Sequence, residues 1–357
     1  MDVLVVGGNR FVGYELAWRL LAGGHRLTLF NRGSRGDPFG ERVERLRGDR
    51  TAGDFSRLLA GRRFDAVVDF AVFRGEEAAE AAESLKGRAG HYVMVSTGQV
   101  YLVRAPRPSP ARETDYEGPL MAAPTSTKEK EEWDYGMGKR AAEDVLVRAW
   151  ESSRFPSTRL RLPMVNGERD YFRRLEGYLW RLVDGGPVIL PDGGERPTRH
   201  VYGAAVARAI AGMLGRRDTF GEAYNLAQDE TPSAREILAI AGELLGATPR
   251  FVPVPAREIE AAGLDVVAVS AFSGAWMSFL DPGRAKAELG FRHEPLREYL
   301  GRIVAAFLAQ PPASPPPALA RRDEERALAV RCGSPRPSPL PARGPCAPLP
   351  ARAVSPR

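Results

Sequence analysis

Residues 3–13 read VLVVGGNRFVG. Four apolar β-formers run into Gly7-Gly8, Asn9 and Arg10 follow, and after Phe11-Val12-Gly13 residues 14–22 read as a helix. This is a strand, a glycine turn and a helix start. Such a turn aims backbone N–H groups and the positive end of the helix dipole at one point, which suits a dinucleotide pyrophosphate. Gly7 would allow the tight turn and Gly13 the close packing of helix on strand. Glycines at this spacing also occur in ordinary βα turns, and the position directly after a buried-type strand is what argues for the nucleotide.

Outward from that stretch the chain alternates strand and helix, as a doubly wound parallel α/β sheet should. Residues 26–31 form a second strand, 42–46 a third, 64–70 (FDAVVDF) a fourth of the fully buried type, and 91–95 a fifth. The second strand is followed at once by Arg32, where the adenosine ribose would lie: an acid at that place accepts from a 2′-hydroxyl, whereas an arginine suits a 2′-phosphate. With Arg35 and Arg10 nearby and no acid before Asp37, the expected coenzyme is NADP, with NAD the alternative. The fifth strand ends in STGQVY at residues 96–101, on the carboxyl edge where open α/β sheets bind ligands. About forty residues on, YGMGK at 135–139 opens a long helix to about residue 150, and Tyr135 and Lys139, four apart, share one helix face.

At 357 residues the chain can bury a full core. It has no apolar run of the roughly 18 residues that a membrane span needs and no basic-then-apolar leader, so the expected compartment is the cytoplasm with no membrane contact. The formal charge of +6 divides unevenly. From residue 311 onward eight arginines stand against three acids, so this tail carries +5 and residues 1–310 only +1. The tail also holds 13 of the 30 prolines, which predicts disorder over 310–357, with a short helix conceivable at 318–330. Both cysteines lie there, and the four histidines have no ligand spacing, so no metal site is expected.

The pieces together resemble an extended or atypical short-chain dehydrogenase/reductase of the NAD-dependent epimerase/dehydratase type. The matching stretches are the glycine loop, GDR at 48–50, STGQVY at 96–101, YGMGK at 135–139, RLPMVNG at 161–167, RHVY at 199–202 and EAYNLA at 222–227. The resemblance implies a Rossmann sheet with a small interleaved C-terminal substrate-binding lid: a nucleotide domain over 1–165, to which parts of 198–228 return, and mainly lid segments over 166–309. It implies a nicotinamide coenzyme on Gly7, Gly8, Asn9, Arg10, Phe11, Val12, Gly13, Arg32, Asp49 and Lys139. Catalysis falls to Tyr135 as acid/base, with Lys139 beside it and Thr97 holding the substrate oxygen. For nucleotide-sugar members, Asn166 and Arg196 would meet the substrate, the arginine by a bidentate fork on its diphosphate.

Two departures stand out: Arg10 occupies the place of a loop glycine, and the asparagine that completes the usual tetrad has no counterpart after Phe70. The expected function is hydride transfer at a hydroxyl or ketone of a small polar substrate, a nucleotide sugar among the candidates. One alternative is a coenzyme-binding sensor or scaffold without turnover. Another is an RNA-associated relative of the chloroplast stem-loop-binding proteins, whose GGxRFxG loop is similar; the near-neutral body argues against nucleic acid. The amphipathic segment at 170–183 can serve a core or a homodimer face.

Overall fold

The computed structural model describes residues 1–333. Its centre is a seven-stranded, all-parallel sheet in the order β10-β6-β5-β4-β1-β2-β3, built from β1 Asp2–Val6, β2 Arg26–Asn31, β3 Val43–Arg47, β4 Ala66–Asp69, β5 Tyr92–Thr97, β6 Ser157–Leu162 and β10 Ala223–Asn225. The remaining strands, β7 Met164–Asn166 with β9 His200–Tyr202 and β8 Pro187–Pro191 with β11 Arg250–Val254, form two small parallel pairs. Strand periodicity explains the layering. Val3 and Val5 of β1 point into one core and Leu4 and Val6 into the other, because successive side chains leave opposite faces. Buried on both sides, β1 needs apolar residues at every position.

The first face is covered by α1 Phe11–Ala22 and α7 Gly203–Met213, and the second by α2 Asp54–Leu59, α3 Gly75–Leu85 and α5 Thr127–Ser153, with the one-turn α4 Gln99–Leu102 packed on α5. The first core continues into the lid through Leu175, Tyr178 and Leu182 of α6 Arg174–Val183 and Ile237 and Leu238 of α8 Ala234–Leu245. The strand order reverses between β4 and β1, and this switch point places the Gly7 turn against Phe70 and Ala71 at the end of β4.

The tail expected to be disordered is ordered over much of its length. Residues Pro317–Leu319 form a helical turn and Arg322–Gly333 a 12-residue helix. Leu328 and Ala329 pack into a lid core with Ile189, Val252, Val254 and Ile259. Its buried charges are paired: Glu325 takes Arg181 of α6 at 2.5 and 2.9 Å and Arg322 at 3.0 Å. Residues 334–357, the rest of that expected tail, and Cys346 with them, lie outside the described residues. Among the described residues no helix is long and apolar enough to cross a membrane, and no cluster of metal-ligating side chains occurs.

Candidate active site

The glycine loop has the form the sequence implies. Gly7 sits at φ +83°, a conformation that a side chain would strain. A Cβ on Gly13 would lie 2.9 Å from both the Gly7 carbonyl oxygen and the Gly8 Cα, so only glycine lets α1 come this close to the turn. Gly13→Ala is therefore expected to weaken coenzyme binding at least tenfold and to cost about 1–3 kcal/mol as the loop is pushed off the helix, read by coenzyme titration and melting. The helix begins earlier than its apolar pattern suggested. Phe11 already belongs to it, and its ring fills the space beside Gly167 and Gly203. Arg10, the N-cap, gives no side-chain cap, so the amides of the first turn are not claimed by it. Its guanidinium lies instead over the Tyr171 ring, 5.6 Å from the centroid.

These features fit a dinucleotide: an uncapped helix start, a loop too tight for a Cβ, and the acid Asp49 at the end of β3. One oxygen of Asp49 is taken by the Thr51 amide and hydroxyl, at 2.9 and 2.7 Å. A cavity of about 440 Å³ beside the end of β2, lined by Asn31, Gly33, Arg35, Asp37 and Arg47 among others, extends the cleft on this side.

Thr97, Tyr135 and Lys139 come together at the carboxyl end of β5. Ser126 caps α5, accepting from the Glu129 amide, and Tyr135 consequently sits in the third turn rather than at the helix start. Its ring edge reaches solvent (36 % exposed) while the hydroxyl end is enclosed. Burial pushes the phenol up to about 12, against an interaction with the Thr97 hydroxyl that favours the phenolate. Lys139 is 2 % exposed and donates to the carbonyls of Val72 and Val95 at 2.7 and 2.9 Å. Two of its three donors are thus spent on holding the helix to the ends of β4 and β5, and one remains. Burial brings its ammonium down to about 8, opposed by the Asp69 and Glu143 carboxylates.

Several residues of the site carry no sequence motif. Phe73, in the segment that lacks the asparagine, stands 44 % exposed with its ring 4.6 Å from the Lys139 Nζ and 6.3 Å from the Tyr135 ring, forming a wall of the cleft. Beneath α5, Glu143 is fully buried, accepting from Ser96 at 2.5 Å and from Arg161 at 2.6–3.1 Å, and Arg161 donates onward to the Tyr101 hydroxyl at 2.6 Å. Burial would raise the Glu143 carboxyl, but the Arg161 guanidinium outweighs it and holds it below the ordinary value. At the other side Arg50 of the GDR stretch is turned inward to Asp69 at 2.7 Å, and Tyr92 donates to the same carboxylate at 2.8 Å. These pairs fix the strand ends from which the site projects.

The two substrate candidates are placed differently. Asn166 is 1 % exposed, with its Nδ2 2.8 Å from His200 Nδ1 and 3.4 Å from the Tyr299 hydroxyl, so its amide nitrogen braces β7 against β9. Arg196 is exposed and donates to the Gly274 carbonyl at 3.3 Å. Its neighbour Glu195 pairs with Arg235 at 2.5 Å and so does not neutralise it.

Residues 3–87 match the model of the NAD dependent epimerase/dehydratase family. The chain is 26 % identical over 242 residues to the chloroplast stem-loop binding protein of 41 kDa b of Arabidopsis thaliana, a match covering 64 % of this chain and 59 % of that protein's length. The fold is that of dTDP-glucose 4,6-dehydratase from Bacillus anthracis in complex with NAD (TM-score 0.68, 17 % identity, 87 % of this chain and 97 % of that one). It is similar also to UDP-glucuronic acid 4-epimerase from Bacillus cereus in complex with UDP-glucuronic acid and NAD (TM-score 0.65, 18 % identity, 87 % and 99 %). The coenzyme in these structures is NAD, which overturns the expectation of NADP. The charge around Arg32 agrees: it is exposed and shares its field with the Asp49 carboxylate, whose acidity it increases. A 2′-phosphate placed there would meet a carboxylate as well as a guanidinium.

Proposed function

We propose, for a chain whose residues 3–87 match the model of the NAD dependent epimerase/dehydratase family, that it transfers hydride between NAD and a carbinol carbon of a nucleotide sugar. The observation that carries this reading is the meeting of Thr97, Tyr135 and Lys139 at the carboxyl end of β5. The loop and the first turn of α1 would hold the pyrophosphate, and the remaining Lys139 donor would serve the ribose next to the nicotinamide. When bound, NAD supplies the hydride acceptor and a positive charge beside the phenol. Thr97 orients the substrate oxygen, and the Tyr135 phenolate takes its hydroxyl proton as the carbon gives up hydride, or returns it in the reverse direction. A phenol held near 12 is a poor base at neutral pH, so the charge of Lys139 and that of the oxidised ring have to bring it down.

The test is thermal melting of the purified chain with NAD and with NADP, then with UDP- and dTDP-sugars added to the NAD complex. A ligand at 100 times its Kd stabilises by about 2.7 kcal/mol. A rise in midpoint with NAD, a further rise with a nucleotide sugar and reduced nicotinamide appearing in the absorbance are expected. No response to any nucleotide sugar would return the assignment to a smaller carbonyl or alcohol. The likeness to a stem-loop binding protein favours an RNA-associated reading. The charge of only +1 over residues 1–310 speaks against it.

A further inference from the structure

The segment that joins β7 to α6 lies along the start of α1. Phe11 fills the space beside Gly167, the Arg169 guanidinium lies 3.9 Å from the Tyr14 ring centroid, and that of Arg10 lies 5.6 Å from the Tyr171 centroid. Residues 167–171 therefore cross the uncapped helix start, where the coenzyme pyrophosphate would rest. The crossing reaches further. The Tyr171 phenol is close enough to that of Tyr135 for a negative charge on one to oppose ionisation of the other. One ring thus stands between the glycine loop at the pyrophosphate end and the phenol at the nicotinamide end.

That ring is held out in solvent. Tyr171 is 51 % exposed and Phe172 60 %, with their centroids 4.1 Å apart. Two large rings so placed forgo the burial that ordinarily takes such side chains inside. Asp170 keeps them there: its carboxylate accepts from the Phe172 amide at 3.1 Å and the Arg174 amide at 3.2 Å, and takes the Arg174 guanidinium at 2.7 and 2.9 Å. Arg174 in turn lies over Phe172, 4.9 Å from its centroid. Behind the rings Arg173 occupies the left-handed region at φ +56°, secured by Glu176 and by the carbonyls of Ser314 and Pro315. A non-glycine residue stays in that region only where its surroundings over-determine it. The segment is a braced strap, tied at its far end to the chain that leads into the C-terminal helix.

Exposed rings fixed at the mouth of a cleft imply a ligand that covers them. What lies at the two ends of Tyr171 identifies it. A dinucleotide with its pyrophosphate on α1 and its nicotinamide beside Tyr135 and Lys139 has to pass its nicotinamide ribose under this ring. Arg10 is prepared for the same ligand: apart from the ring face, its guanidinium has no hydrogen-bond partner among the described residues, so its N–H donors are left for phosphate oxygens.

We infer that Tyr171 is a further coenzyme-positioning residue, whose ring closes the strap of residues 167–174 over the nicotinamide ribose, between Arg10 and Tyr135. The inference rests on the nicotinamide coenzyme of the function proposed above and not on the sugar. The coenzyme then leaves only when the contact of Arg10 with Tyr171 opens, and while it is closed the ring keeps water from the reacting carbon.

The experiment is stopped-flow release of NADH from the full chain, read by coenzyme fluorescence on mixing with excess NAD, beside equilibrium titration with NADH and melting of the free chain. Tyr171→Ala should speed release about tenfold or more, with the melting midpoint of the free chain as in the unaltered protein, since half of the residue is in water. Tyr171→Phe retains the ring and should release NADH at the parent rate. Release unchanged in Tyr171→Ala would overturn the strap and leave the coenzyme reading standing. Release accelerated as much in Tyr171→Phe as in Tyr171→Ala would also overturn it, because the hold is assigned to the ring. Failure of NADH to bind the unaltered chain would remove the coenzyme reading and the strap together.

Discussion

Tyr135→Phe is expected to lower kcat by about 10²–10⁴, the range that a positioned general acid/base supplies, while NAD affinity and melting temperature remain near those of the parent. The ring stays against Phe73, and only the hydroxyl facing Thr97 is lost. Steady-state kinetics with parallel coenzyme titration check this, and undiminished kcat would move the base elsewhere. The pH profile adds a signature that a structural role would not give. Because the enclosed phenol starts near 12, the parent rate in the oxidative direction should rise through neutral pH as the phenolate fraction grows, and the residual rate of Tyr135→Phe should lose that slope.

Glu325→Ala is expected to be the most destabilising single change outside the sheet, costing about 3–5 kcal/mol. It leaves Arg181, only 2 % exposed, buried without the carboxylate that holds it at 2.5 and 2.9 Å. Replacing both partners by apolar residues, Arg181→Met with Glu325→Leu, should recover most of the loss, since breaking a buried pair is costly while removing it whole is often neutral. Truncation after Ala309 should be worse still, since it also withdraws Leu328 and Ala329 from the lid core and Arg322 from Asp184. Chemical denaturation of the three variants decides the point: equal stability of the truncated chain would mean that the C-terminal helix adds nothing to the lid.

The sequence allowed a short helix at 318–330, and what it hid was the packing of that helix on the lid, because RDEERALAVRCG reads as solvated charge in a proline-rich tail. Charge predicts exposure only while it has no partner, and the partners here are Asp184 and Arg181, well over a hundred residues away. The start of α5 was obscured in a similar way. KEKEEWD has no apolar period, yet Ser126 caps it and the helix runs from Thr127, so Tyr135 lies within the helix rather than at its end.

By itself the sequence determined the strand and helix order, the glycine turn and the Tyr135–Lys139 face, because alternation in β1 and a four-residue spacing in α5 are local consequences of backbone geometry. The coenzyme was misread at the same level: Arg32 alone suggests a 2′-phosphate, and only the fold sets Asp49 from the end of β3 beside it. Only the tertiary structure decided that Arg50 meets Asp69, that Glu143 meets Arg161 and that Asn166 faces His200. Each of these joins residues 18 to 34 positions apart. Such pairs follow no period along the chain, since they are fixed by which strand ends the sheet order brings together and by the cost of leaving a buried polar group alone.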